Sequence, residues 1–168
     1  SLEHHQSRNR QQAASIELQG VTAKNPPASE WKDRRLPISK EGEMDIRSLL
    51  VQLADAFNAH DLDRIMAFFA DDCCLEMPRG KKPWGSRFEG KEDLRRALAM
   101  RFEGLPDVHY GDCQYFVDPA AATGISKWSL TGTGTNGMQV QVRGCDFYTF
   151  RDGKVIRKDS YWKIVEET

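Results

Sequence analysis

From Glu43 onward the apolar residues of this chain fall first at helical spacing and then at strand spacing. Ile46, Leu49, Leu50, Leu53 and Phe57 recur every three or four positions among Arg47, Ser48, Gln52 and Asp55, which predicts one amphipathic helix ended by Asn58-Ala59-His60. Asp61 is placed to cap a shorter second helix with the stripe Leu62, Ile65, Met66 and Phe69, and Asp71-Asp72 is expected to stop it. Residues 73 to 77 read as a short strand ending at Pro78. Residues 78 to 90 read as a loop in which Trp84 and Phe88 stand among glycines, prolines and basic side chains, forming either a lid or a plug at the end of the core. A third helix opens at Lys91-Glu92-Asp93, whose acidic residues suit the positive end of the helix dipole, and carries Leu94, Ala97, Leu98 and Phe102. Residues 108–117, 122–133, 138–150 and 154–165 are then successive strand runs, divided by Asp118-Pro119, by the glycine-rich stretch 132–137 and by Asp152-Gly153.

Asp152-Gly153 accepts the positive φ of a type I′ turn, so the last two runs form a hairpin whose register can be counted outward from the turn. On the first arm Asp146, Tyr148 and Phe150 alternate with Cys145, Phe147 and Thr149; on the second, Ile156, Lys158, Ser160 and Trp162 alternate with Arg157, Asp159 and Tyr161. The first arm is apolar on both faces and is therefore expected to be covered on both, by helices or by a second subunit. Asp146 is a carboxylate on one of those faces. The order of elements lets the helical stripes be buried against one face of a curved sheet. The expected fold is α+β: a cone-shaped curved antiparallel sheet packed on three N-terminal helices and enclosing a pocket.

Composition narrows the setting. The 168 residues are 29% charged and 39% hydrophobic with a formal net charge of −1, which suits one domain spanning residues 43–168 and supplies no field to gather nucleic acid or an anionic membrane. No run has the length of a membrane span, and the expected location is cytoplasmic. Cys73, Cys74, Cys113 and Cys145 lack zinc spacing and read as reduced thiols. Residues 1–42 lack a periodic apolar face and read as a flexible tail whose removal leaves the domain folded; His4 and His5 within it are not taken as a metal site. No metal and no cofactor is called for.

The segments FNAHDLDRIMAFFADDCCLEMP and GCDFYTFRDGKVIRKDSYWKI resemble the nuclear transport factor two-like superfamily, and within it the SnoaL-like polyketide cyclases and ketosteroid isomerases, over roughly residues 43 to 165. The resemblance implies a role for Asp146, which falls where ketosteroid isomerases keep a protonated acid as an oxyanion donor, and for Trp162, which falls in their steroid pocket. Their general base falls on Met77 and their oxyanion tyrosine near Leu53, so steroid isomerisation is disfavoured. The water-activating groups of limonene epoxide hydrolases fall near Ser129, Lys127 and Ser160, where no carboxylate remains. SnoaL-like cyclases share the aspartate and commonly carry a histidine in the preceding strand, for which this chain has the Gly134 region.

Two readings of Asp146 follow from the residues themselves. A carboxylate on a strand buried on both faces loses hydration, which raises its pKa unless a cation or donor pairs with it. Lys158 is that cation or else snorkels out to solvent. A paired Asp146–Lys158 is a structural ion pair; an Asp146 beyond hydrogen-bonding reach of Lys158 is a general acid or base. His109 is the only histidine in a strand run, and alternation leaves its direction open. Two functions are consistent with this. In the first, Asp146 and Lys158 carry acid/base chemistry (cyclisation, isomerisation or dehydration) on a hydrophobic carbonyl-bearing molecule held by Met77, Trp84, Phe88, Tyr148, Ser160 and Trp162. In the second, the protein is a non-catalytic ligand-binding or accessory module. Both come with a homodimer packed through the outer face of the sheet.

Overall fold

The computed structural model describes residues 45–165; residues 1–42, expected to be a tail, lie outside the described residues. Helix α1 (Ile46–Asn58) is capped by Asp45, whose carboxylate accepts from the Ser48 amide at 3.0 Å, and it buries Ile46, Leu50, Leu53, Ala56 and Phe57. Helix α2 (Leu62–Phe68) is capped by Asp61 in the same way. It ends at Phe68, and strand β1 (Phe69–Glu76) begins at once. Asp71 and Asp72, expected to stop the helix, instead stand exposed within β1, where they meet Lys91 at 3.3 Å and Arg151 at 2.6 Å. A three-residue strand β2 (Arg87–Glu89) follows the loop, and then helix α3 (Lys91–Gly104). Four long strands complete the chain: β3 (His109–Asp118), β4 (Thr123–Thr133), β5 (Gln139–Arg151) and β6 (Lys154–Trp162).

The six strands form one sheet in the order β2-β1-β6-β5-β4-β3, curved and not closed into a barrel. Every neighbouring pair is antiparallel except β1 and β6, which run parallel, so the expected antiparallel sheet is in fact mixed. Parallel neighbours need a long crossover, and here everything between β1 and β6 serves as that connection. The three helices lie on the inner face. Leu50, Leu53, Ile65, Leu75, Leu94 and Val155 pack there, each no more than 2% exposed, and truncating such a leucine to alanine typically removes about 2–5 kcal/mol.

The hairpin turns at Asp152 and Gly153, with φ of 51° and 74°. Arg151 pairs with Lys154 and Phe150 with Val155, as a one-for-one count from the turn requires, but the register then shifts and Thr149 pairs with Arg157. Ile156 is the extra residue. A one-for-one count would have put Asp159 opposite Asp146; the bulge puts Ser160 there and sets Lys158 opposite Tyr148. The inner face thereby receives Lys158 and Ser160, and Arg157, Asp159 and Tyr161 go to the outer face.

Among the described residues none covers the outer face. Phe116, Phe147 and Tyr161 are 54%, 46% and 54% exposed, so the expectation that both faces of β5 are covered holds only for the inner one. Together with Ile125, Cys145 and Trp162 they line a furrow of about 650 Å³ rimmed by Lys127, Arg143 and Lys163. Towards β1 the same face becomes polar, as Glu76 meets Arg87 and Arg157.

Candidate active site

Strand pairing assembles the site. On the inner face Asp146 of β5 stands between Ser126 of β4 and Ser160 of β6, and Tyr148 stands opposite Lys158. Asp146 and Lys158 are 3% and 8% exposed, and the lysine ammonium lies 2.6 Å from Asp146 Oδ1. Of the two arrangements left open, the structure has the direct contact, the one read as a structural ion pair, and not the unpaired one read as catalytic; Lys158 does not snorkel to solvent. The ammonium approaches Oδ1 off its hydrogen-bonding direction, so Oδ1 has no directed donor, and Lys158 Nζ donates to Ser160 Oγ at 2.7 Å. Oδ2 accepts from Trp128 Nε1 at 2.9 Å and from the Tyr148 hydroxyl at 3.3 Å. Every group directed at Asp146 is a donor. The carboxyl is thus arranged as an acceptor, unlike the proton-donating acid that the ketosteroid isomerase likeness implies.

Burial sets the electrostatics. Desolvation draws the Lys158 ammonium below its ordinary lysine pKa, against the attraction of Asp146, and Arg101 adds to the fall. The ammonium also sits 5.7 Å and 5.9 Å from the Tyr148 and Phe57 ring centroids. Desolvation and the neighbouring Asp146 push the Tyr148 hydroxyl well above 10.0, and burial pushes Tyr110 up to about 12. Both phenols therefore act as neutral hydrogen-bonding groups.

Two cavities of about 20 Å³ each flank the pair, room for roughly one water apiece. They share Phe57, Tyr110, Trp128, Asp146 and Lys158 as a common wall. The first extends towards α1 past Leu50, Ala54, Cys113, Ser126 and Tyr148; the second extends past Met77, Leu98, Arg101, Ser160 and Trp162. Of the residues read as substrate-binding, Met77, Ser160 and Trp162 line the second cavity and Tyr148 the first. Trp84 and Phe88 do not. Trp84 is 46% exposed beneath the Arg87 guanidinium, 5.0 Å from its ring centroid, and Phe88 packs on the main core, so neither lines a cavity and the plug reading holds for Phe88. His109 is exposed, and His60 satisfies itself on the Val108 carbonyl at 2.8 Å while stacking on Phe102.

Trp128, Tyr110 and Arg101 were not expected in the site. Trp128 had a signal in the sequence. It pairs across the sheet with Gly144, and a Cβ on Gly144 would overlap the indole ring, so the glycine is what lets Trp128 lie flat on β5 and reach Asp146. The neighbour of Asp146 on the preceding strand is Ser126, while Gly134 lies in the turn beyond the far end of β4, so the cyclase histidine position has to be sought at Ser126 or Trp128. Among the described residues no group of three or more His, Cys, Asp and Glu is placed to hold a metal, and no helix is long and apolar enough to cross a membrane.

No curated protein sequence matches the chain. Among solved structures, a protein assigned as a polyketide cyclase from Xanthomonas campestris pv. campestris is 20% identical over 70% of this chain and 89% of its own, with a TM-score of 0.62. SalBIII, an epoxide hydrolase/cyclase-like enzyme of pyran ring formation in the polyether salinomycin, is 17% identical over 70% and 90%, with a TM-score of 0.61. TerC, co-crystallised with polyporic acid, is 17% identical over 70% and 90%, with a TM-score of 0.60. At these identities the likeness is one of fold, the nuclear transport factor two-like α+β cone. The profile of the SnoaL-like domain matches residues 50–158, and the chain belongs to the SnoaL-like domain family.

Proposed function

We propose that the protein is a SnoaL-like small-molecule enzyme of the cyclase or isomerase type, using Asp146 and Lys158 for acid/base chemistry on a hydrophobic carbonyl-bearing substrate. The observation that carries this is a buried carboxylate whose Oδ1 faces a buried ammonium, with a cavity on either side of the pair. Asp146 Oδ1 takes a proton from the substrate, and the Lys158 ammonium, 2.6 Å from that carboxylate oxygen, stabilises the substrate oxygen on which negative charge develops. Trp128 and Tyr148 hold the other carboxyl oxygen and so fix the direction of attack. The family and its polyketide and epoxide cyclase neighbours support a reaction of this type. The experiment is a native mass spectrum of freshly purified protein followed by turnover of whatever is retained. A retained carbonyl compound converted by wild type and not by Asp146→Asn supports the reading; a retained compound that both leave unchanged sinks it.

A second reading rests on the direct 2.6 Å contact: the pair is a structural bridge and the protein is a ligand-binding or accessory module. In either case we propose a homodimer through the outer face, motivated by the exposed Phe116, Phe147 and Tyr161. Light scattering of the wild type at micromolar concentration should give the dimer mass, and Phe147→Asp should give the monomer; a monomeric wild type removes the proposal.

A further inference from the structure

The second cavity is surrounded by donors. Arg101 from the end of α3 and Arg79 from the loop after β1 place their guanidinium carbons 5.3 Å and 5.5 Å from the centroid of the Trp162 ring. Among the described residues neither arginine has a carboxylate within 4 Å, whereas Arg87, Arg95, Arg96, Arg151 and Arg157 all do. The indole Nε1 of Trp162 is buried and has no acceptor among the described residues. A buried donor without a partner is a rare and unfavourable arrangement, and here it stands beside two unpaired cations. The charge around the chamber is therefore unbalanced, with Lys158 and Arg101 facing the single carboxylate Asp146 and Arg79 waiting at the rim. Leu75, Leu98, Phe57, Met77 and Pro78 supply the apolar part of the lining, and Tyr110, Trp128 and Ser160 the rest.

We infer that the ligand of this chamber is an organic acid, with its apolar body among Leu75, Leu98, Phe57 and Met77 and its carboxylate received by Arg101 and by Trp162 Nε1, Arg79 closing over it from outside. This inference rests on the reading of the chamber as a small-molecule site and adds to it the charge of the molecule. The physical reason is complementarity: a carboxylate offers four lone pairs to an indole N–H without an acceptor and to arginines without a carboxylate partner among the described residues, and a guanidinium receives it through two parallel N–H bonds. A neutral carbonyl compound would leave the excess positive charge uncompensated. Arg79 is exposed on the loop after β1 and stands by the Trp162 ring outside the cavity lining, placed to close on a carboxylate from the solvent side.

The test is isothermal titration of the full chain with 1-naphthoate, methyl 1-naphthoate and 1-naphthylmethylammonium, chosen because their bodies are alike and their charges differ. The acid is expected to bind at least about tenfold more tightly than the ester, and the ammonium compound not to bind. Arg101→Gln is expected to weaken the acid by about tenfold and leave the ester unchanged, with Arg101→Lys in between because it keeps the charge and loses the fork. If Arg101→Gln proves to melt early, Arg79→Gln at its exposed position decides, with a loss of acid affinity of about threefold. Equal binding of acid and ester, or an acid affinity indifferent to both arginines, overturns the inference and leaves the proposed function standing. Binding of neither acid nor ester overturns both.

Discussion

The sheet buries one carboxylate on each of its faces, and the two are treated differently. Glu76 on the outer face is 0% exposed, yet both of its oxygens are satisfied: Oε1 accepts from Arg87 Nε at 2.9 Å and Oε2 from Arg157 Nε at 3.0 Å, each guanidinium adding a second bond. Its two partners are themselves 40% and 52% exposed, so their charges keep contact with water. Asp146 on the inner face has a partner as buried as itself, an oxygen without a directed donor and a cavity on either side. The forked, half-solvated arrangement fastens strands β2, β1 and β6 together. The lysine arrangement leaves a carboxylate oxygen and an ammonium of lowered pKa beside the cavities. Burial alone does not mark a site; incomplete satisfaction beside a cavity does.

Asp146→Asn is the sharpest way to break the comparison. It should lower turnover by about a hundredfold or more and, because it strands Lys158, lower unfolding free energy by about 3–5 kcal/mol. The double variant Asp146→Asn, Lys158→Met should recover most of that stability in urea titrations and none of the activity. Full activity in either variant would assign the pair to structure alone. Glu76→Gln should have the smaller effect, about 1–3 kcal/mol in the same titration, with turnover unchanged, because it loses charge-assisted hydrogen bonds whose donors remain wetted.

Acid and alkali should separate the two carboxylates by sign. At Glu76 burial pushes the pKa up, but the Arg157 and Arg87 hydrogen bonds override it and the net shift is downward from 4.5. Its contribution to stability is present above that value and is lost as pH falls through the folded-state pKa, and Glu76→Gln should flatten the acid limb of the stability curve. Lys158 behaves oppositely. Its folded-state pKa lies below 10.5, so between the two values the unfolded chain binds more protons than the folded one, and stability from this group rises with pH across that window. Wild type minus Lys158→Met, followed by urea midpoint as the pH is raised towards 10.5, should show that rise; a flat difference would mean that the ammonium is not destabilised by burial. The smallest effect is expected at Trp84→Ala, an exposed position off both cavities, with less than about 0.5 kcal/mol lost and no change in ligand affinity.

Much of the fold was legible because its signals are local. The stripe Ile46, Leu50, Leu53, Phe57, the caps Asp45 and Asp61, and the turn Asp152-Gly153 each depend on spacing or on one residue's conformational range. The site was legible as far as alternation grouped Asp146 with Tyr148 on β5 and Lys158 with Ser160 and Trp162 on β6; that the two groups share one face depends on the bulge at Ile156. What escaped depended on long-range geometry. The parallel pairing of β1 with β6 joins segments about eighty residues apart, and Arg157 reaches Glu76 only through it, while Arg87 comes from the neighbouring β2. Trp84 was drawn into the pocket by its chemistry alone, since an aromatic residue in a loop has no periodicity to say which way it points. Arg101 sits on the polar side of a helix pattern, and its approach to Trp162 depends on where α3 crosses the sheet.

The placement of β6 bears on how the chain is made. Lys154–Trp162 lies between β1 and β5, although it is the last of the described strands to be synthesised. Until it leaves the ribosome, β1 and β2 have no connection to the β3-β4-β5 meander except through the helices, and both edges of the gap present unpaired amides. The nascent protein therefore passes through a stage with an open seam in its sheet, at which pairing with another chain competes with closure. Lys158 and Ser160 arrive with the strand that closes the seam, so the charged centre of the chamber is completed in the same step.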